Sequence, residues 1–88
     1  MCYPPSVPTL LRIGHLRVVV YMNDHRPAHV HVVAPERNAT FYLNCPSGPV
    51  SLRGNDGLTA RQIKRIAAAL DPHATELCAA WKEIHANY

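Results

Sequence analysis

The sequence contains no long hydrophobic run. No apolar stretch approaches the roughly 20 residues that a helix needs to cross a bilayer, so we expect no membrane partner. The first residues show no basic segment followed by an apolar one, so no secretory signal is predicted and the cytoplasm is the expected compartment. The chain also has no internal repeat and no low-complexity tract.

Cysteine is scarce, and no Cys-x-x-Cys pair is present. The three cysteines, Cys2, Cys45 and Cys78, are odd in number and widely spaced along the chain. This pattern fits a cytoplasmic protein, so we expect three free thiols. A zinc site built from cysteines or a redox-active pair remains as the alternative.

The content of charged residues is modest, at 17% of the chain, while 48% is hydrophobic, as in a globular protein and unlike a disordered one. Its 88 residues are enough for one domain and not for two. We therefore predict a single domain over residues 8–88, after an irregular arm over residues 1–7 that contains Pro4 and Pro5. The formal charge of +3 is compatible with an anionic partner, either RNA or an acidic protein.

The first two thirds of the chain have the pattern of a small β-sheet. Strand-like sequence runs from Thr9 to Tyr21, and further strands are predicted over residues 28–33, 39–43 and, as a short one, 50–53. Pro27 lacks an amide donor, so it is excluded from a central strand position. These patterns predict a sheet of three to four antiparallel strands.

The last third of the chain has a helical period. Thr59 and Gln62 form a predicted capping box, and Asp71-Pro72 is expected to begin a second helix, with the aspartate as N-cap. The apolar positions fall into two stripes, made of Ile63, Ile66, Ala67 and Leu70 and then of Leu77, Ala80, Trp81 and Ile84. The predicted fold is therefore α+β, with two C-terminal amphipathic helices packed on one face of the sheet.

Half of the six histidines lie in one short segment. Alternation along the predicted strand places His29 and His31 on the face opposite Val30 and Val32. The valines are the natural partners of the helices, so we expect both imidazoles on the open face, with His25 close by in the turn. The segment reads Asp24-His25-Arg26-Pro27-Ala28-His29-Val30-His31.

The first interpretation of this segment is general acid–base catalysis. Histidine titrates near neutral pH, so two imidazoles in different environments can serve as base and acid when RNA is cleaved at its 2′-hydroxyl. Arg26 or Arg17 would stabilise the charge on the phosphorane, and Tyr21 or Tyr42 would assist. Asp24 would orient an imidazole.

Two other interpretations stay open. His-x-His on a strand presents two nitrogens on one side, and His25 or Asp24 would complete three metal ligands. No second cluster of cysteine or acidic residues supports this, so no metal and no cofactor is predicted. Alternatively, the rings only form hydrogen bonds with neighbours or with a partner protein. Outside the segment, His15, His73 and His85 are expected to be solvated surface residues.

The same segment matches the hallmark of a bacterial family. The chain resembles the family catalogued as domain of unknown function 4160, which opens with Pro-Thr, an apolar stretch and a glycine and then carries Asp/Glu-His-x-Pro-Pro-His-x-His. Pro8-Thr9, Gly14, Tyr21 and residues 24–31 match in order, and the resemblance extends over residues 8–88. The second hallmark proline is Ala28 here, which loosens the backbone before the following histidine.

The resemblance implies a toxin-like role. Members of the family are typically encoded beside a small protein of another family, domain of unknown function 2442, and such pairs look like type II toxin–antitoxin modules. By this resemblance the chain would impair translation or RNA. Its partners would be a cognate antitoxin protein and RNA or the translation machinery.

Together, these observations give one leading hypothesis and two rivals. The leading hypothesis is a toxin that acts as a metal-independent endoribonuclease. One rival is a non-catalytic binding or regulatory module that recognises a partner protein or nucleic acid, and the other is a small histidine-ligated metalloprotein. For the leading hypothesis, the catalytic residues are Asp24, His25, His29 and His31, and the substrate-binding residues are Arg26, Arg17, Tyr21 and Tyr42.

Overall fold

The computed structural model describes residues 9–21 and 23–85. Five strands form one antiparallel sheet in which each strand pairs with the next along the chain. The strands are β1 (Thr9–Ile13), β2 (Leu16–Val19), β3 (His29–Ala34), β4 (Arg37–Tyr42) and β5 (Ser51–Asp56). The predicted arm over residues 1–7 lies outside the described residues. A small α+β domain is confirmed, but the prediction of three to four strands is wrong.

The additional strand arises from a hairpin near the start of the sheet. We predicted one strand from Thr9 to Tyr21, but Ile13 pairs with Leu16, so Gly14 and the residue after it form a two-residue loop. Gly14 has a φ of 58°. Two-residue hairpin loops require positive φ, which glycine adopts because it has no Cβ to clash. Gly14 therefore belongs to a hairpin loop and not to the interior of the predicted strand.

The C-terminal part of the chain is one continuous helical segment over residues 60–84. Its predicted start is confirmed, because Thr59 Oγ1 accepts the Gln62 N–H at 3.1 Å and Gln62 Oε1 accepts the Thr59 N–H at 2.9 Å. The segment consists of α1 (Ala60–Leu70), a 3-10 turn (Asp71–His73) and α2 (Ala74–Ile84). Within the described ranges, no helix is long and apolar enough to cross a membrane.

The prediction of two separate helices is wrong. The backbone at Leu70 (φ −77°, ψ −35°) and Asp71 (φ −51°, ψ −45°) stays in the right-handed helical region, so the chain does not leave the helix there. Asp71 does not cap a second helix. Its Oδ1 instead accepts the Val50 N–H at 2.8 Å and attaches the helical segment to the chain just before β5.

The helical segment covers one face of the sheet. Ile66 and Leu70 from the predicted stripe are buried, and so are Leu77 and Trp81 of α2. They pack against alternate residues of the strands, so the residues between these face the other side of the sheet. The sheet side of this core includes Val18, Val30, Val32, Ala39 and Phe41.

A disulfide between Cys45 and Cys78 links the loop after β4 to α2. The two Cα atoms are 5.7 Å apart, within the range of about 4.4–6.8 Å that a disulfide requires. The expectation of free thiols is therefore wrong for these two cysteines. They lie 33 residues apart and meet only because the helical segment folds back over the sheet. Cys2 lies outside the described residues.

Both outer strands of the sheet carry an irregularity in their pairing. The register of β1 on β2 shifts between Thr9 and Leu11, and that of β5 on β4 shifts between Thr40 and Phe41. In β5 the extra residue is Arg53, since its two neighbours pair with consecutive residues of β4. Such bulges bend a strand and redirect side chains.

Candidate functional site

Strand β3 places two imidazoles on the face of the sheet opposite the helical segment. Val30 and Val32 are fully buried on the helix side, so His29 and His31 face away from it, as the alternation predicts. The centroids of the two rings are 5.2 Å apart. On the neighbouring strand β4, Tyr42 is the register partner of His29.

The imidazoles are less accessible than we predicted. The His29 side chain is only 6% exposed, and that of His31 is 20% exposed. The turn that precedes β3 brings the Asp24 side chain, itself 11% exposed, against both rings. The Tyr21 ring also meets His31 edge to face, with the ring centroids 4.5 Å apart. The prediction of an open site is therefore wrong for His29.

The carboxylate of Asp24 is close to both rings. Its Oδ1 lies 3.5 Å from His29 Nε2 and 3.2 Å from His31 Nε2, and its Oδ2 is also 3.2 Å from His31 Nε2. Oδ2 accepts the Tyr21 N–H at 3.0 Å, and the Tyr21 carbonyl accepts the Asp24 N–H at 3.0 Å. The turn itself therefore fixes the carboxylate. We call these three side chains the Asp24–His29–His31 cluster.

The ring of His29 is oriented by the backbone before it. Its Nδ1 lies 2.8 Å from the Pro27 carbonyl oxygen. A carbonyl only accepts hydrogen bonds, so Nδ1 carries the hydrogen. In the neutral ring Nε2 then has a lone pair, and this lone pair faces Asp24. His29 Nε2 and Asp24 Oδ1, both electron-rich, therefore face each other with no hydrogen between them.

The geometry of the cluster suits a metal ion. One ligand atom from each of the three residues lies within 4.8 Å of the others. Bonds of about 2.0–2.1 Å from zinc to nitrogen or oxygen place tetrahedral ligands about 3.3–3.4 Å apart. The distances from Asp24 Oδ1 to the two imidazole nitrogens, 3.5 and 3.2 Å, lie on either side of this value. Two histidines and one carboxylate also leave coordination positions open for a substrate or water.

A cavity of about 280 Å³ borders the cluster. Of the residues predicted for the site, His25, Arg26 and Tyr42 line it together with the cluster. Arg53 also lines it and was not predicted, because its position depends on the bulge in β5, for which the sequence has no signal. Arg17 lies on the same face of the sheet, because it is two residues before Val19, the register partner of His31. It does not line this cavity.

The structure also corrects the prediction for His85. We expected a solvated residue, but His85 is only 5% exposed. Its Nδ1 lies 2.8 Å from the Trp81 carbonyl oxygen, and its Nε2 lies 3.2 Å from the Tyr21 carbonyl oxygen. The ring is buried because the end of α2 packs against the turn that holds Asp24. His85 therefore supports the candidate site from the helix side.

A comparison with protein families gives one match. The family model described as a domain of unknown function (DUF4160) matches residues 16–82 of the chain. The matched range includes the whole Asp24–His29–His31 cluster and every residue that lines the neighbouring cavity. No curated protein and no solved structure matches the chain.

Proposed function

The chain belongs to the DUF4160 family, and we propose that it is a metalloprotein in which Asp24, His29 and His31 bind one divalent transition-metal ion. We further propose that this ion acts on the phosphodiester backbone of RNA. One observation carries the proposal. The His29 ring is held by Pro27 so that its Nε2 lone pair faces Asp24 Oδ1 at 3.5 Å.

A hydrogen on His31 Nε2, which lies 3.2 Å from Asp24 Oδ1, would satisfy the carboxylate but not the lone pair of His29. That lone pair needs either a second proton on His29 or a cation between it and Asp24. A proton would give a charge-assisted hydrogen bond, and such bonds are about 2.7–2.9 Å long. The distance of 3.5 Å between His29 Nε2 and Asp24 Oδ1 is much longer than that. It agrees with the spacing of two ligands around one metal ion. The cation is therefore the better explanation.

The donor set indicates the kind of metal. Imidazole nitrogen suits zinc, nickel and iron, whereas magnesium and calcium prefer oxygen ligands. Three protein ligands leave an open position, which is typical of catalytic rather than structural sites. An ion bound there would polarise a phosphoryl oxygen or lower the pKa of a bound water.

The surroundings of the cluster favour an anionic substrate. Arg26 and Arg53 line the same cavity as the cluster. Guanidinium groups bind phosphate through paired hydrogen bonds, and the chain carries a net charge of +3. RNA is also the target that the resemblance to toxin–antitoxin modules implies. The pairing with a domain of unknown function 2442 protein stays a prediction.

Metal binding is tested on tag-free protein. The wild type is expected to hold one zinc or nickel ion per chain by elemental analysis and to bind added Zn²⁺ in calorimetry. Asp24→Asn and His31→Gln each remove one ligand and are expected to weaken binding at least tenfold. His73→Gln is the matched control, because His73 lies in the 3-10 turn and bonds to Glu76. Equal binding by all four proteins would reject the site.

A second candidate uses the same residues without a metal. His25 and His31 both line the cavity beside the cluster, and in this candidate the two imidazoles act as acid and base in the cleavage of RNA. This is the toxin hypothesis in its metal-independent form. It requires the 2′-hydroxyl of the substrate as the nucleophile, whereas a metal-activated water does not.

One experiment separates the two candidates. End-labelled RNA and a copy with 2′-deoxy sugars are incubated with the protein, with EDTA, and with EDTA followed by excess Zn²⁺. Cleavage of both substrates that stops with EDTA and returns with zinc supports the metal site. Cleavage of RNA alone that persists in EDTA and is lost in His25→Ala supports the metal-free mechanism. Intact RNA at a molar excess of protein rejects both and favours a binding module.

A further inference from the structure

A second and larger cavity lies on the other side of the turn that precedes β3. Its volume is about 550 Å³, within the range of about 300–1,000 Å³ that is typical of small-molecule sites. The turn over residues 26–28, the loop after β4 and one side of α2 form its walls. The apolar part of the lining comes from Pro27, Ala28, Pro46, Ala79, Trp81 and the Cys45–Cys78 disulfide.

Trp81 lines this cavity, and its indole N–H is buried away from the accessible surface. Its side chain stacks on His85, with the ring centroids 3.9 Å apart, and the residue is only 5% exposed. Among the described residues, nothing accepts a hydrogen bond from the indole Nε1–H. A ligand in the cavity would therefore contact the indole ring by packing and not through Nε1.

The charged groups of this cavity are all positive. Arg26 and Lys82 line it, and the part of the wall that the structure describes contains no carboxylate. The ion pairs found within residues 9–21 and 23–85 all involve histidines, so neither cation is neutralised by an acidic neighbour there. Apolar walls with two cations at one site fit a ligand that has an apolar body and an anionic head.

We propose that this cavity binds a small carboxylic acid with an apolar body, such as a medium-chain fatty acid. The apolar body packs against the prolines, Ala79 and the disulfide. The carboxylate binds to Arg26 and Lys82. This cavity shares Arg26 and Pro27 with the cavity beside the Asp24–His29–His31 cluster, but the proposal does not depend on the function proposed for the cluster.

The chain has a built-in reporter, because Trp81 is the only tryptophan. Octanoate is titrated while the Trp81 emission and the single indole N–H resonance in a ¹⁵N spectrum are recorded. Octanol and octylammonium serve as neutral and cationic analogues of equal length. We expect octanoate to bind saturably, at least tenfold tighter than either analogue, and to shift the indole resonance.

Two variants test the contacts. Lys82→Gln is expected to weaken octanoate binding about three- to tenfold without changing the binding of octanol, because it removes one of the two cations. Lys64→Gln on α1 is the matched control and should bind as the wild type does. Ala79→Phe fills the cavity from an exposed helix position and should abolish the binding of both ligands.

The proposal is overturned by either of two results. One is the absence of any saturable change with octanoate while the protein is folded. The other is equal binding of octanoate and octanol that Lys82→Gln leaves unchanged, since the cations would then play no part in recognition.

Discussion

The Cys45–Cys78 disulfide allows a quantitative prediction for stability. Cross-linking restricts the unfolded chain, and for a separation of 33 residues the loop-entropy relation gives about 3.7 kcal/mol at about 25 °C. Cys45 lies in an exposed loop, so Cys45→Ser removes the cross-link and little packing. We expect this change to lower the free energy of unfolding by about 2–4 kcal/mol. That is a large part of the roughly 4–13 kcal/mol expected for a domain of this size.

The assay is urea unfolding followed by circular dichroism. The parent protein carries Cys2→Ser so that no third thiol exchanges with the disulfide. Without reductant, the additional Cys45→Ser change should lower the unfolding midpoint by about 1–3 M urea. A phosphine reductant should lower the midpoint of the parent by the same amount and leave the variant unchanged, which controls for effects of the serine itself.

Two results would contradict the prediction for the disulfide. If the parent, purified without reductant, has two titratable thiols per chain, the disulfide does not form. If it has none and its midpoint is still insensitive to the reductant, the cross-link forms but does not restrict the unfolded chain as the entropy relation requires.

Three further predictions concern the fold. Leu70→Ala should lower the free energy of unfolding by about 2–5 kcal/mol because Leu70 is fully buried, whereas Leu52→Ala, at an exposed position, should change it by less than about 0.5 kcal/mol. Thr59→Ala should cost about 1 kcal/mol by removing the helix cap, as measured by thermal unfolding, and Thr59→Ser should restore it. Gly14→Val should cost more than Gly14→Asn in the same assay, because φ is 58° there and asparagine tolerates this region; equal losses would contradict this account of the hairpin.

The features that the sequence predicted correctly are local ones. The capping box of Thr59 and Gln62 spans one helical turn, and the opposite faces of Val30 and His31 follow from alternation along one strand. Local sequence patterns gave a wrong prediction where the backbone conformation depends on contacts with residues distant along the chain. Asp71 has the residue type of an N-cap, but its carboxylate bonds to the chain before β5, so the helical segment continues.

The candidate site was predicted only in part for the same reason. His29 and His31 were placed correctly on one face of the sheet because they share one strand. The position of Asp24 over both rings depends on the path of a turn, and that of Arg53 depends on a bulge in a distant strand. Neither is encoded in a pattern of neighbouring residues. The segment 24–31 therefore indicated where the site lies but not which side chains meet there.

The pairing irregularities in β1 and β5 bear on how this protein meets other proteins. Both are edge strands, and an edge strand with regular pairing is a template for another chain to add a further strand. Here the pairing of each edge strand with its neighbour is irregular, and a bulge bends its strand, so an added strand would lose hydrogen bonds at that point. Extension of the sheet is thereby discouraged on both sides, which favours recognition of side chains on the faces of the molecule by a protein partner such as the predicted antitoxin.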